Sequence, residues 1–196
     1  ALPSLKALDE HGHVIHLSTF SKVLMPGFRI GYLVAPPVVL RQLVLVKQGA
    51  DLHSNIFGQF VLERFVREGH FASHIESLKG AYRRRRDRMA AALTAPPDRA
   101  LEPRVPSGGF YIWCGIPAGI EQSSLLANAI AGGVSFLPGR ACFAAEPAEN
   151  ALRLNFTHCA EDDIEPGVGR LFEALRASAL AARRPVENSA STSPVV

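Results

Sequence analysis

Lys22 closes the run "STFSK", and a second cation, Arg29, follows seven residues later across Pro26-Gly27. Thr19 and Ser21 add two hydroxyls beside the lysine. A cation at the end of an apolar run is costly to bury unless it is paired. The spacing therefore leaves two readings: solvated turn residues, or a cluster that meets an anion. Other residues with chemical potential are weaker candidates. His70 and His74 are four apart, but no glutamate adjoins His70 and no third ligand stands at a motif spacing. His13 and His16 fall on opposite faces of a strand. No metal site is expected. Cys114, Cys142 and Cys159 form no C-x-x-C pair, which argues against a disulfide framework and for a reducing compartment. The run "YRRRRDR" holds five arginines between residues 83 and 88. On a helix they spread around the circumference without aromatic partners, so they read as a solvated face rather than a nucleic-acid site.

The elements that must carry these residues can be read from periodicity. "HVIHLSTFS" alternates, which predicts a buried strand over His13 to Leu17, and "RIGYLVA" predicts a second strand entered through the Pro-Gly turn. A buried helix is expected after Pro36-Pro37. "NIFGQFVLERFV" has apolar residues at 56, 57, 60, 61, 65 and 66, which predicts a helix with a wide buried face. Ile75, Leu78, Tyr82, Met89 and Leu93 define one stripe of a long helix, which "APPDRALEP" ends at a candidate boundary. "GGFYIWCGI", "VSFLPG" and "ALRLNFT" read as strands, "SSLLANAIAG" as a helix. A last helix starts near "AEDDIEPG", whose acidic residues suit an N-terminus.

With 196 residues, 47% hydrophobic and 20% charged, the chain has the composition of a globular protein. Its net charge of +3 does not itself point to nucleic acid. No apolar run approaches the roughly 20 residues of a membrane span, and "ALPSLKALDEHGH" lacks a signal-peptide pattern. A cytoplasmic location is expected.

"TFSK" followed by "PGFRIGY" resembles the cofactor-lysine segment of fold-type I, pyridoxal 5'-phosphate-dependent class I aminotransferases. Thr19, Ser21, Lys22, Pro26, Gly27, Arg29 and Gly31 stand in the family's order. Two further segments agree: "PSGGFYIWCGIP" resembles the strand opening the family's small domain, and "ENALRLNFTHC" the segment with its carboxylate-binding arginine. "SFLPGRACF" resembles a loop near the active site, to which no role is assigned. The resemblance implies that Lys22 carries the cofactor through an imine and then moves the substrate's Cα proton. It gives Arg29 and Thr19 the cofactor phosphate, counts Ser21 among the cofactor-binding residues, and gives Arg153 the substrate α-carboxylate. It places Ser54, within "DLHSNIFGQ", near a partner subunit's phosphate site, a position that helix capping explains equally well.

The fold implied is α/β, the C-terminal part of a pyridoxal-phosphate-dependent transferase fold: the end of the large-domain sheet plus a small α/β domain. Residues 1–80 would belong to the large domain, 81–180 to the interdomain helix and small domain, and 181–196 to a disordered tail. The reaction implied is amino-group transfer between an amino acid and a 2-oxo acid, in a homodimer. The resemblance covers residues 2–178 and only the C-terminal half of the family. The Asn-Pro-x-Gly motif, the aspartate that pairs with the pyridine nitrogen, the stacking aromatic and the Gly/Ser-rich phosphate clasp have no counterpart. Asp9 stands too near Lys22 for that aspartate. The chain is therefore expected to be a fragment of a longer protein, with unpaired strand edges and exposed apolar helix faces. "LPSLKALDEHGHVIHLSTFSK" is also similar to the aminotransferase-like half of MocR-type transcriptional regulators, in which the cofactor is an effector. Nucleic acid would be a partner only through an upstream regulator domain.

Overall fold

The computed structural model describes residues 3–96 and 100–183. The chain divides into two compact units between Lys79 and Gly80, inside a long helix. Of the tail expected over residues 181–196, residues 181–183 belong to the last helix, Ile164–Arg183, and residues 184–196 lie outside the described residues.

In the first unit a 3-10 turn, Leu5–Leu8, is capped by the Ser4 hydroxyl, which accepts the Ala7 N–H at 3.2 Å. Strands β1 (His16–Thr19) and β2 (Gly31–Val34) pair antiparallel, with Leu17 opposite Leu33 and Thr19 opposite Gly31. A side chain at position 31 would meet the Ser18 carbonyl, since a Cβ there would lie 2.8 Å from its oxygen. Only glycine permits this approach. Helices α1 (Pro37–Asp51) and α2 (Ile56–Arg67) follow, then the first turns of α3 (His70–Thr94). Asn55, not Ser54, caps α2: its side-chain oxygen accepts the Gly58 N–H at 3.0 Å.

The elements form as their periodicity predicts, but their burial does not follow. The first strand is four residues long and begins at His16 rather than His13, and Leu17 is 70% exposed. Helix α1 buries no residue. The expected wide buried face of α2 is open: Phe57 is 74% and Phe60 69% exposed, with only Gly58 and Leu62 buried. A two-stranded ribbon offers too little surface to cover two amphipathic helices.

The second unit has a complete core. Its sheet runs in the order β3 (Glu102–Arg104), β4 (Tyr111–Gly115), β6 (Ala151–Asn155), β5 (Leu137–Pro138), with every neighbour antiparallel. The segment "APPDRALEP" follows the end of α3 and contributes Glu102 and Pro103 to β3. Alternation sends Ile112 and Cys114 of β4, and Leu152 and Leu154 of β6, to one face. There they meet Met89 and Leu93 of α3, Leu125 of α4 (Gln122–Ala131), and Val168, Leu171 and Leu175 of α5 (Ile164–Arg183). Glu121 caps α4, accepting the Ser124 N–H at 2.7 Å and the Ser123 N–H at 3.1 Å; the Ser123 hydroxyl first, then these backbone bonds, hold its carboxyl below the usual range. Gly139 packs its backbone against Ala151, where a Cβ would lie 2.6 Å from the carbonyl oxygen. That contact gives the glycine of "LPGRACF" a structural reason.

The arginine run on α3 is not simply a solvated face. Arg85 donates to the Thr157 carbonyl at 2.7 Å and Arg86 to the Pro106 carbonyl at 3.1 Å. Arg84 pairs with Glu161, and Arg88 with Asp162 and Glu165, which tie α3 to the acidic start of α5. These partners raise the pKa of Arg88. Four of the five arginines, Arg84, Arg85, Arg86 and Arg88, are thus engaged by acceptors within the chain.

Candidate functional site

The lysine turn grows directly out of β1. Past Thr19 the chain folds into a single helical turn, closed by the Leu24 N–H donating to the Phe20 carbonyl at 2.8 Å. Lys22 sits in the middle of that turn with its side chain exposed, so the burial considered for it is not found in this chain. The Thr19 hydroxyl oxygen lies 3.0 Å from Ser21 Oγ and 3.2 Å from the Ile30 carbonyl, and it accepts the Ser21 N–H at 3.1 Å. Thr19 and Ser21 thus form one hydroxyl pair beside Lys22. Arg29 ends a short 3-10 turn, Pro26–Phe28, in the left-handed region at φ 54°, ψ 40°. Non-glycine residues pay strain there, and such strain concentrates at functional positions. Its Nη1 reaches back to the Pro26 carbonyl at 3.3 Å.

Two supports of this turn are not legible as chemistry in the sequence. His74 of α3 makes a 2.8 Å hydrogen bond from Nε2 to the Val23 carbonyl. A carbonyl only accepts, so the proton sits on Nε2. His74 is thereby a tether for the residue after Lys22, and no group of three possible metal ligands occurs among the described residues. Asp9 accepts the His13 and Val14 N–H groups at 2.9 and 3.1 Å and pairs with Lys6 at 2.7 Å. The Lys6 bond, followed by the two backbone bonds, holds its carboxyl far below the usual range. Asp9 is a strut for the entry to β1.

The fifth predicted residue, Arg153, belongs to the second unit. It lies on β6, on the sheet face opposite the core, directly across from Trp113 on β4 and Leu137 on β5. Its guanidinium carbon stands 4.1 Å from the centroid of the Tyr111 ring. Its Nε is buried without a hydrogen-bond partner. Trp113 is fixed by donating its indole N–H to Glu149 at 2.8 Å, and Glu149 in turn pairs with Arg104. Arg104 chiefly, then the indole N–H, holds the Glu149 carboxyl below its ordinary value. Cys114, on the core face, has its thiol pushed up to about 12 by burial, which makes it inert. Tyr111 escapes a sequence reading because strand alternation predicts its face but not which residue of another strand it meets.

One unit thus carries a lysine turn between two paired strands, and the other, a small α/β unit with an antiparallel sheet, carries an arginine on its open face. Residues 2–171 match the family described as Aminotransferase class I and II, and the chain belongs to it. It is 41% identical over 172 residues to aromatic-amino-acid aminotransferase 1 of Thermococcus litoralis, covering 88% of this chain and 41% of that protein. The crystal structure of LysN, the α-aminoadipate aminotransferase of Thermus thermophilus complexed with N-(5'-phosphopyridoxyl)-L-leucine, is similar with a TM-score of 0.86. That likeness comes at 36% identity and covers 92% of this chain and 47% of that one. The HTH-type transcriptional regulator TauR of Rhodobacter capsulatus is 34% identical over 179 residues, covering 90% of this chain and 36% of the regulator. The chain therefore spans less than half the length of these relatives. No described helix is long and apolar enough to cross a membrane.

Proposed function

We propose that this chain is the C-terminal part of a pyridoxal-phosphate-dependent aminotransferase that moves an amino group between an amino acid and a 2-oxo acid. The observation that carries the reading is the donor set of the lysine turn: Lys22, the Thr19–Ser21 hydroxyl pair and Arg29 on one loop. That set fits the cofactor, because two hydroxyls and a permanently charged fork match phosphate oxygens, and an exposed lysine offers an amine within the same loop. When bound, pyridoxal phosphate supplies an aldehyde and an electron sink for breaking the substrate's Cα–H bond. Lys22 Nζ holds the cofactor and carries the proton to and from Cα. Thr19, Ser21 and Arg29 grip the phosphate. Arg153 takes the substrate carboxylate on its fork of donors.

The open apolar faces of α1 and α2 support a longer parent protein and a homodimer, since surfaces of that kind are normally covered. Three free cysteines support a reducing, cytoplasmic setting. A second reading, an effector-binding domain of a MocR-type regulator, is supported by the likeness to TauR. In that case the lysine turn would bind the same cofactor without turnover.

The test is reductive trapping. The 196-residue chain is incubated with pyridoxal phosphate and reduced with borohydride, and the modified lysine is mapped by mass spectrometry beside Lys22→Ala. Stoichiometric label on Lys22 alone is expected. Label scattered over Lys6, Lys47 and Lys79, or none, overturns the assignment for this chain. An amino-donor assay on the trapping-competent protein then separates enzyme from regulator.

A further inference from the structure

The open face of the second unit's sheet carries a row of four residues at one register level: Arg104, Trp113, Arg153 and Leu137, one from each strand. Two are arginines, yet they differ in their company. Arg104 is neutralised by Glu149. Arg153 has no hydrogen bond or ion pair to any described residue, and its charge rests instead on the face of Tyr111. Tyr111 is the diagonal neighbour of Arg153, two residues before Trp113 on β4. We infer that Tyr111 is a positioning residue: its ring holds the Arg153 guanidinium in one orientation so that the two η nitrogens face a carboxylate end-on. This deepens the proposed carboxylate role of Arg153 and rests on it.

Three observations support the assignment. The Arg153 Nε is sealed from solvent and unpartnered, so it cannot serve a ligand side-on, and the η nitrogens are the donors that remain. A guanidinium over a ring face is stabilised by the ring quadrupole while its in-plane N–H groups stay free, whereas an ion pair would consume them. Finally, the carboxylate bonded to Trp113, Glu149, is spent on Arg104 and the indole N–H, so it does not compete for Arg153. An arginine whose rotamer is already fixed loses less freedom when it grips its ligand. The ring face, not the phenol hydroxyl, does the work.

Trp113 is the sole tryptophan of the chain and stands directly across from Arg153, so its fluorescence reports on this site without any cofactor. The experiment titrates the 196-residue chain with isovalerate, a carboxylate with no amino group and no ultraviolet absorbance, using uncharged isovaleramide as control. A saturable change with isovalerate only, abolished in Arg153→Leu, is expected for the wild type. Tyr111→Phe should bind within about twofold of wild type, and Tyr111→Leu about fivefold more weakly, with unchanged far-ultraviolet circular dichroism. Tyr111→Met serves the same purpose if the leucine variant fails to fold. Equal binding by wild type and Tyr111→Leu or Tyr111→Met, while Arg153→Leu loses it, overturns the inference and leaves the carboxylate role standing. Equal loss in Tyr111→Phe and Tyr111→Leu also overturns it, since the hydroxyl would then carry the effect. No saturable change in the wild type, or one that survives Arg153→Leu, overturns the carboxylate reading and the inference together.

Discussion

Glu149 is a hub at which two different donors converge, an arginine from β3 and the indole of Trp113 from β4. Its carboxyl is held below the ordinary 4.5, by Arg104 first and by the indole bond after it. The consequence for stability has a definite sign. A carboxylate with a depressed folded pKa contributes fully above its unfolded value and loses that contribution as pH falls through the folded one. An acid titration of Trp113 emission should therefore show a step below pH 4.5, and Glu149→Gln should lack it. A step at or above 4.5, or one that survives the glutamine substitution, would mean that the bridge is not what holds the indole. The contrast with Arg153 is instructive at this scale. Two arginines in one cross-strand row have opposite fates because only one of them has a carboxylate within reach.

At the scale of elements, the close approach of Gly139 to Ala151 fixes how the "LPGRACF" segment joins β6. A methyl group at position 139 has backbone on its far side and nowhere to go. Gly139→Ala is expected to destabilise the second unit by about 1 to 3 kcal/mol, the usual cost of overpacking a tight contact. Urea unfolding followed through Trp113 measures it. A cost below a few tenths of a kcal/mol would show that the loop can slide away from β6. Elsewhere in the unit Glu161 and Asp162, just before α5, and Glu165 in its first turn pair with Arg84 and Arg88 of α3. These pairs flank the core to which Leu93 and Leu171 belong. Exposed pairs of this kind add little each, and their worth lies in orientation.

For the whole molecule the two units are unequally finished. The second encloses a continuous core from Met89 to Leu175, while the first leaves Phe57, Phe60 and most of α1 open to solvent. A hydrophobic dye such as ANS should bind the native chain strongly. Replacing Phe57 and Phe60 with serine should reduce that emission while leaving the unfolding midpoint read by Trp113 unchanged. Emission that is insensitive to both substitutions would place the apolar surface elsewhere. The same openness explains the exposure of Lys22, which is presented on a loop with little packed around it.

Much of this protein is written locally. The hydroxyl–lysine–Pro-Gly–arginine order around Lys22, the alternation of "YIWCG" and the stripe from Tyr82 to Leu93 depend on neighbours in sequence, and each forms the expected kind of element. Short-range rules suffice there, because backbone dihedrals and side-chain periodicity act over a few residues. Burial could not be read in the same way. An amphipathic pattern says which face of α2 is apolar, not whether anything lies against it, and for α2 most of that face meets solvent. Pairing across distance was equally hidden: His74 on the Val23 carbonyl and Arg153 over Tyr111. These contacts join residues up to 51 positions apart, and they depend on strand register and helix placement. Residue types and local order follow from the sequence alone. Which arginine is neutralised by a carboxylate and which lies over an aromatic ring was decided when the strands came together, because charge pairing is a matter of ångströms in space rather than positions in the chain.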